Sequence, residues 1–168
     1  MELNLLLPLY EYNRYANRLV LERAERLSEN DLRRQSSPSH NSVFEILEHM
    51  LATETGFMLN ALGQPFTFRR PADLPDLRQE WEELAARQLA YLATITESQL
   101  NEDIPTRIGS RDFHFPRWQL LAQAFVHSTH HRGELSIVMT GLGQPLPTLD
   151  IIIPFAENSG QTWPWKPT

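Results

Sequence analysis

The sequence predicts an all-α protein, a single domain over residues 1–168 that folds as a four-helix bundle. Three observations support this prediction. Four long segments repeat apolar residues at helical spacing. No segment has the convincing alternating pattern of a long strand. The connections between the four segments contain polar residues, proline and glycine. Their lengths fit either an up-down or a crossover topology.

The first predicted helix spans about residues 5–27. Its predicted inner stripe is Leu5, Leu9, Tyr12, Ala16, Leu19, Val20 and Leu27. Pro8 either lies near the first turn or kinks the helix. Residues 28–41 follow, and they are predicted to form a loop because they are polar and include Pro38 within a run of serines.

The second predicted helix spans about residues 43–62. Ser42 and Glu45 have the spacing of a capping box, which marks its start, and Gly63 is a predicted stop. We expect the carboxylate of Glu45 to serve this cap. The predicted inner stripe is Val43, Ile46, Met50, Phe57 and Ala61.

The third predicted helix begins near Pro75 and the fourth near Pro116, because proline suits the first turn of a helix. The inner stripe of the third is Leu77, Trp81, Leu84, Gln88, Tyr91 and Ile95. That of the fourth is Leu120, Ala124, His127, His131, Leu135 and Val138. The fourth helix is predicted to end at Gly141 or Gly143.

A small hairpin is predicted within residues 101–115, before the last helix, and an irregular tail is predicted after Gly143. The tail is rich in proline and contains Trp163 and Trp165. Because tryptophan side chains bury large apolar surfaces, we expect these two to pack on the bundle or on a partner subunit.

The composition excludes several classes of function. The chain has no cysteine, which excludes disulfides, thiolate metal ligands and a cysteine nucleophile. Its formal net charge of −6 repels phosphate backbones and argues against a nucleic-acid partner. No segment approaches the about 20 apolar residues of a membrane span, and the beginning of the chain lacks the basic residues of a signal peptide. We therefore expect a cytoplasmic protein with no membrane or nucleic-acid partner.

Two histidines of the fourth predicted helix lie four residues apart. His127 and His131 share one helical face and fall within its apolar stripe. Imidazoles in an apolar seam are costly unless each nitrogen finds a partner, and one metal ion satisfies both rings. His130 lies about 100° around the helix from His131 and is predicted at the rim.

A third histidine, His49, lies on the second predicted helix. The small residues on its face are Ala52, Thr53 and Gly56. Such neighbours leave room beside the imidazole, so the three rings predict a three-nitrogen site with an open position, as in catalytic metal sites. Two alternatives stay open. The histidines bind no metal and only form hydrogen bonds in the core, or a fourth ligand such as Glu45 or His130 closes the site.

Three motifs resemble the DinB/YfiT-like family of proposed metal-dependent enzymes. They are Tyr15-Ala16-Asn17 with Leu19, the segment SVFEILEH at residues 42–49, and the segment HSTHHRGE at residues 127–134. Their order and approximate separation also match, so the resemblance covers most of the chain, and the last motif is the most specific. The sequence departs from the family at Tyr15, where Trp is frequent, and at Glu134, where Gln is frequent.

The resemblance implies a bundle of DinB/YfiT type, usually a homodimer, with a divalent metal ion on His49, His127 and His131. Three imidazoles suit zinc or nickel, and also iron or copper. The family is similar to thiol-dependent S-transferases and to a maleylpyruvate isomerase that uses a low-molecular-weight thiol. Because this chain has no cysteine, any thiol must come from a small cofactor.

Two further residues are predicted to take part in catalysis. Glu134 shares the face of the two fourth-helix histidines and either orients one of them or accepts a proton. The alternative for Glu134 is a surface ion pair, with Arg132 or Arg18 as its partner. Tyr15 is predicted to donate a hydrogen bond to an oxygen at the metal ion.

Two functions of different classes follow. The first is a metal-dependent enzyme that activates an external small thiol or water, as an S-transferase or a hydrolase of a small-molecule substrate. The second is a catalytically silent metal-binding protein that acts in stress or in protein interaction. An open coordination position favours the first function, and a fourth side-chain ligand favours the second.

Overall fold

The computed structural model describes residues 3–164, and four long helices form the predicted bundle. In chain order the elements are α1 (Leu3–Ala24), α2 (Glu29–Arg33), α3 (Val43–Ala61), α4 (Leu74–Leu92), α5 (Glu97–Leu100), β1 (Asp103–Ile108), β2 (Arg111–Pro116), α6 (Arg117–Gly141) and α7 (Ile152–Asn158). The long helices are α1, α3, α4 and α6. The all-α prediction is confirmed, with one small two-stranded sheet.

The helices α3 and α6 form the most extensive contact of the bundle. Both α1 and α3 pack against α4 and α6. This arrangement places α1 and α3 at opposite corners of the bundle, so the chain crosses the bundle between them. Of the two topologies that fit the sequence, the structure therefore has the crossover form.

The predicted helix boundaries depend on caps that the structure shows. Ser42 Oγ accepts a hydrogen bond from the backbone N–H of Glu45 at 3.3 Å and donates one to the Glu45 carboxylate at 2.9 Å. Asp73 caps α4 by accepting from the N–H of Asp76 at 2.9 Å. Gly63 follows α3 with a φ of +67°, a conformation that glycine adopts without steric cost. Ser42 and Gly63 are the signals that located α3 in the sequence, whereas α4 was located from Pro75 in its first turn.

The predicted inner face of α1 is wrong by about one residue. Leu5 is 58% exposed, and the neighbouring Leu6 is buried instead. The buried residues of α1 are Leu6, Tyr10, Asn13, Ala16, Asn17, Val20, Leu21 and Ala24. Two of them are asparagines, which a search for apolar spacing passes over. The helix also ends at Ala24, three residues before the predicted end.

Three short helices were not predicted. The segment 28–41 was expected to be a loop but contains α2, whose cap Ser28 accepts from the N–H of Asp31 at 3.1 Å. In α5, Thr96 and Gln99 form a capping box. The tail expected to be irregular contains α7. Helices of this length are too short to show an apolar period, so only their caps could have revealed them.

The predicted hairpin is confirmed. Strands β1 and β2 pair antiparallel, and Gly109 takes a φ of +60° in the two-residue turn between them. Within residues 3–164, no helix is both long and apolar enough to cross a membrane. In the tail, Trp163 is half-buried, while Trp165 lies outside the described residues.

Candidate metal centre

The structure brings the three predicted histidines together. His49 of α3 and both His127 and His131 of α6 each offer one ring nitrogen, and these three atoms lie within 4.8 Å of one another. The ring centroids are 4.6 Å apart for the two α6 histidines and 4.7 and 5.1 Å apart for the pairs across the helices. This spacing is that of a group of ligands around a single small ion.

Local structure explains this convergence. His127 and His131 are one helical turn apart, so their rings project from the same side of α6. The extensive packing of α3 against α6 brings His49 to that side. His131 is only 4% exposed, while the other two rings are half-buried. The three histidines therefore lie at the interface of the two helices, and two of them are partly exposed.

The three imidazoles favour the neutral form. Burial, together with the neighbouring His40, His131 and His127, lowers the pKa of His49 to about 4. Burial is also the main cause of a lowered pKa at His127 and His131. Since a metal ion binds only unprotonated imidazole, the cluster has the ligand form at neutral pH.

The hydrogen bonds of the rings fit a metal ion. His131 Nδ1 lies 3.0 Å from a carboxylate oxygen of Glu134, which leaves Nε2 of that ring for a ligand bond. A carboxylate behind a histidine is the usual second partner of a metal-binding imidazole. Nδ1 of His127 is buried, and no hydrogen-bond partner for it exists among residues 3–164. The cluster therefore combines one oriented ring with one unsatisfied nitrogen.

Glu134 is held by hydrogen bonds from two elements. The hydroxyl groups of Ser37 and Ser39 both donate to its Oε1, and His131 contacts its Oε2. Burial opposes the ionised form, but these hydrogen bonds outweigh burial and lower the pKa of Glu134 to about 2. Glu134 is thus a fixed negative charge that joins α6 to the loop before α3.

The comparisons with known proteins agree with this architecture. A sequence model of the DinB family matches residues 1–159. The chain belongs to the DinB family. It is similar in fold to the crystal structure of a DinB-like protein, YjoA of Bacillus subtilis, with a TM-score of 0.64 and 23% identity over 84% of this chain and 96% of that chain. No curated protein matches the sequence. The predicted resemblance to the family is confirmed.

The alternative prediction for Glu134, an ion pair with Arg132 or Arg18, is wrong. Arg132 instead turns into the bundle and donates to Asn13 and Asn17. Arg18 pairs with Glu22 at 2.6 Å on the surface of α1. Because both cations have other partners, the contacts of Glu134 are those with His131 and the two serines.

Neither of the side chains considered as a fourth ligand joins the three histidines. Glu45 is exposed and engaged with the cap residue Ser42. His130 is exposed, and its ring meets that of His131 edge-on at 5.0 Å. Neither belongs to a described group of side chains that can hold a metal ion.

The structure places Tyr15 apart from the histidines. Tyr15 lines a cavity of about 670 Å³ between α1, α4 and α7, and none of the three histidines lines that cavity. Its ring lies 5.7 Å from the guanidinium carbon of Arg18, and burial raises its pKa. The catalytic role predicted for Tyr15 in this DinB-family protein stays a prediction, and the position of its side chain does not support it.

Sequence reasoning missed His40. Its ring stacks on His49 with centroids 4.0 Å apart and meets His131 edge-on at 5.0 Å. Its Nδ1 lies 2.9 Å from Ser39 Oγ, and His40, His131 and Glu134 form a second group able to hold a metal ion. Loop residues follow no helical period, so the sequence does not show which way the side chain of His40 points. The signal that the sequence offered was the position of this histidine, shortly before the helix that carries His49.

Proposed function

We propose that His49, His127 and His131 bind a divalent metal ion and that the protein is a metal-dependent enzyme of the DinB family. Its chemistry would be the activation of an external small thiol or of water, as in an S-transferase or a hydrolase. The observation that carries this proposal is the convergence of three neutral ring nitrogens from two helices within 4.8 Å. Membership of the family supports it.

The histidines supply nitrogen ligands without negative charge. A divalent ion bound by neutral imidazoles keeps its full charge and lowers the pKa of a water or thiol at its open position. The absence of cysteine from the chain means that a thiol would have to be a separate small molecule. Zinc and nickel are the first candidates for the ion, and iron and copper also suit imidazole ligands.

Glu134 fits the role of a positioning residue better than that of a general base. A general base is most effective when its pKa lies near the working pH, and the pKa of Glu134 is lowered to about 2. Its contact with His131 Nδ1 at 3.0 Å fixes the ring orientation and the tautomer that leaves Nε2 unprotonated. The serine hydroxyls hold the carboxylate in place for this purpose.

The number of side-chain ligands bears on the choice between the enzyme and the silent metal-binding alternative. A structural metal site uses four side-chain ligands, whereas a catalytic site uses three and keeps an open position. Glu45 and His130, the fourth ligands considered from the sequence, have other contacts, and His40 belongs to a separate group with His131 and Glu134 rather than to the three-histidine group. This observation favours the enzyme, and the silent protein is one outcome of the test below.

The metal content of the purified protein tests the ligand set. We expect about one divalent ion per chain in the wild type and a loss of bound metal in His127→Ala and His131→Ala. His114→Ala is the matched control, because His114 is an exposed histidine on β2. Equal metal content in the ligand variants and the control would contradict the proposed ligands.

A turnover assay separates the enzyme from the silent protein. The metal-loaded protein is incubated with small thiols and electrophilic acceptors, and separately with ester and amide substrates. We expect turnover that disappears in His131→Ala and persists in His114→Ala. Full metal occupancy with no turnover in any of these assays would favour the silent metal-binding protein.

We propose in addition that the protein is a cytoplasmic homodimer that acts on a small molecule. Support for a dimer comes from Val126 and Ile137, which are 56% and 78% exposed. They are 11 residues apart, so they lie on the same outer face of α6. Light scattering after size-exclusion chromatography tests the dimer, and Ile137→Asp is expected to shift the mass towards the monomer.

A further inference from the structure

A buried polar cluster lies inside the bundle, on the same helices that carry the histidines. Its members are Asn13, Asn17, Glu54, Ser128 and Arg132, and each is at most 4% exposed. They come from α1, α3 and α6. The mechanism proposed above uses none of them, yet such a cluster is costly to bury unless its groups satisfy one another.

The two asparagines connect the two buried charges. Asn13 and Asn17 each donate through Nδ2 to the carboxylate of Glu54, in both cases at 2.9 Å. Arg132 donates to the Oδ1 atoms of the same two residues, at 2.7 and 2.6 Å. Ser128 adds a further hydrogen bond to Glu54. The negative and positive charges are therefore linked through two amides, which also tie α1 to α3 and α6.

Stability alone does not explain a cluster of this kind. Well-packed apolar residues of similar volume often stabilise a core as well as buried charged groups do. Hydrogen bonds differ from apolar contacts in their dependence on direction and distance. A cluster of them therefore restricts the rotation and the axial position of each contributing helix more closely than an apolar seam does.

On α6, each of the two histidines is directly followed by a residue of the buried polar cluster. Ser128 directly follows His127, and Arg132 directly follows His131. Neighbouring positions in a helix point about 100° apart, so the helix presents its histidines to α3 while the next residues face the cluster. The same holds on α3, where His49 lies with the two α6 histidines and Glu54 belongs to the buried polar cluster.

We infer that Asn13, Asn17, Glu54, Ser128 and Arg132 are positioning residues that fix the rotation of α6 against α3 and thereby aim the three imidazoles. This inference rests on the proposed function for its metal, but the orientation of the rings exists without metal. Metal binding by three histidines depends on the placement of their rings. Mutation of residues that orient metal ligands typically lowers metal affinity by about 10- to 100-fold.

Two variants test the inference. Arg132→Lys keeps the charge but loses the planar group that reaches both asparagines, and Ser128→Ala removes a single donor to Glu54. Leu100→Ala is the control for a general loss of stability, because Leu100 is a fully buried core residue outside the cluster. All measurements are made at a temperature at which circular dichroism shows each protein to be fully folded.

The first readout is the ring nitrogen spectrum of metal-free protein labelled with ¹⁵N-histidine. We expect the His131 and His127 resonances to move in both variants and to stay in place in Leu100→Ala. The second readout is the dissociation constant for Ni²⁺, which we expect to rise about tenfold in Arg132→Lys.

Wild-type ring resonances in both cluster variants would overturn the inference. So would equal shifts in the control, because they would show a general effect of lost stability. If Arg132→Lys fails to fold, Ser128→Ala decides alone. A wild-type protein that binds no Ni²⁺ would contradict the proposed function, and the ring spectra would still decide whether the cluster orients the histidines.

Discussion

The substitution Glu54→Gln should destabilise the protein far more than its chemical similarity suggests. Glu54 is 1% exposed, and one of its oxygens accepts from Trp81 Nε1 at 3.1 Å. Three donors occupy the other oxygen. If the Gln oxygen keeps those three donors, its amide nitrogen faces the indole N–H, so one hydrogen bond to a charged group, about 1.5–3 kcal/mol, is lost. Arg132 also remains as a buried cation without a counter-charge.

Breaking a buried charge pair costs about 3–5 kcal/mol, and the amides between the charges favour the lower end, about 3 kcal/mol. For a domain of this size, that corresponds to a fall in Tm of about 6–12 °C. Urea denaturation followed by circular dichroism measures the free energy of unfolding. Glu83→Gln, at an exposed position on the neighbouring helix, is the control and should change it by less than about 0.5 kcal/mol. A loss below about 1 kcal/mol for Glu54→Gln would refute the reasoning, since it would show that Arg132 does not depend on this carboxylate.

Three further predictions concern the histidine site and the loop before α3. Glu134→Ala should weaken metal binding by about 10- to 100-fold, because His131 loses the partner of its Nδ1. Titration calorimetry with Zn²⁺ measures the affinity, and an unchanged affinity would contradict this prediction. The metal-free protein should lose stability as the pH falls from about 6.5 towards about 4, because the unfolded histidines take up protons while His49, with its pKa lowered to about 4, stays neutral. Urea titrations at several pH values test this, and a stability that is flat over that interval would count against it. Asn41 has a φ of +70°, so Asn41→Ala should cost about 1 kcal/mol in the same assay, whereas Asn41→Gly should not.

The long helices were predictable because their signals are local. The apolar period of each long segment, the cap at Ser42 and the first-turn proline Pro75 need only a few neighbouring residues. The histidine pair of α6 was predictable for the same reason, since the spacing of four residues sets a shared face. His49 followed from the small residues around it and from the resemblance to the family.

The remaining features depend on contacts between distant parts of the chain. The inner face of α1 was misplaced because Asn13 and Asn17 are buried by partners 37 to 119 residues away. His40 stacks on His49, and the loop that carries it is held against α6 by hydrogen bonds to Glu134. In a sequence, a polar residue that is buried by a distant partner looks like a surface residue. Neither the apolar period nor the net charge of a segment therefore identifies it.

We propose that three imidazoles and no other side chain hold a metal ion. X-ray absorption spectroscopy of the zinc-loaded protein measures this most directly, because it reports the number and type of ligand atoms. We expect three histidine nitrogens at about 2.0 Å and one or two further light atoms from solvent. His131→Ala should lose one imidazole contribution or the zinc altogether. A zinc ion with four protein ligands, or one whose spectrum is the same in His131→Ala, would contradict the three-histidine site.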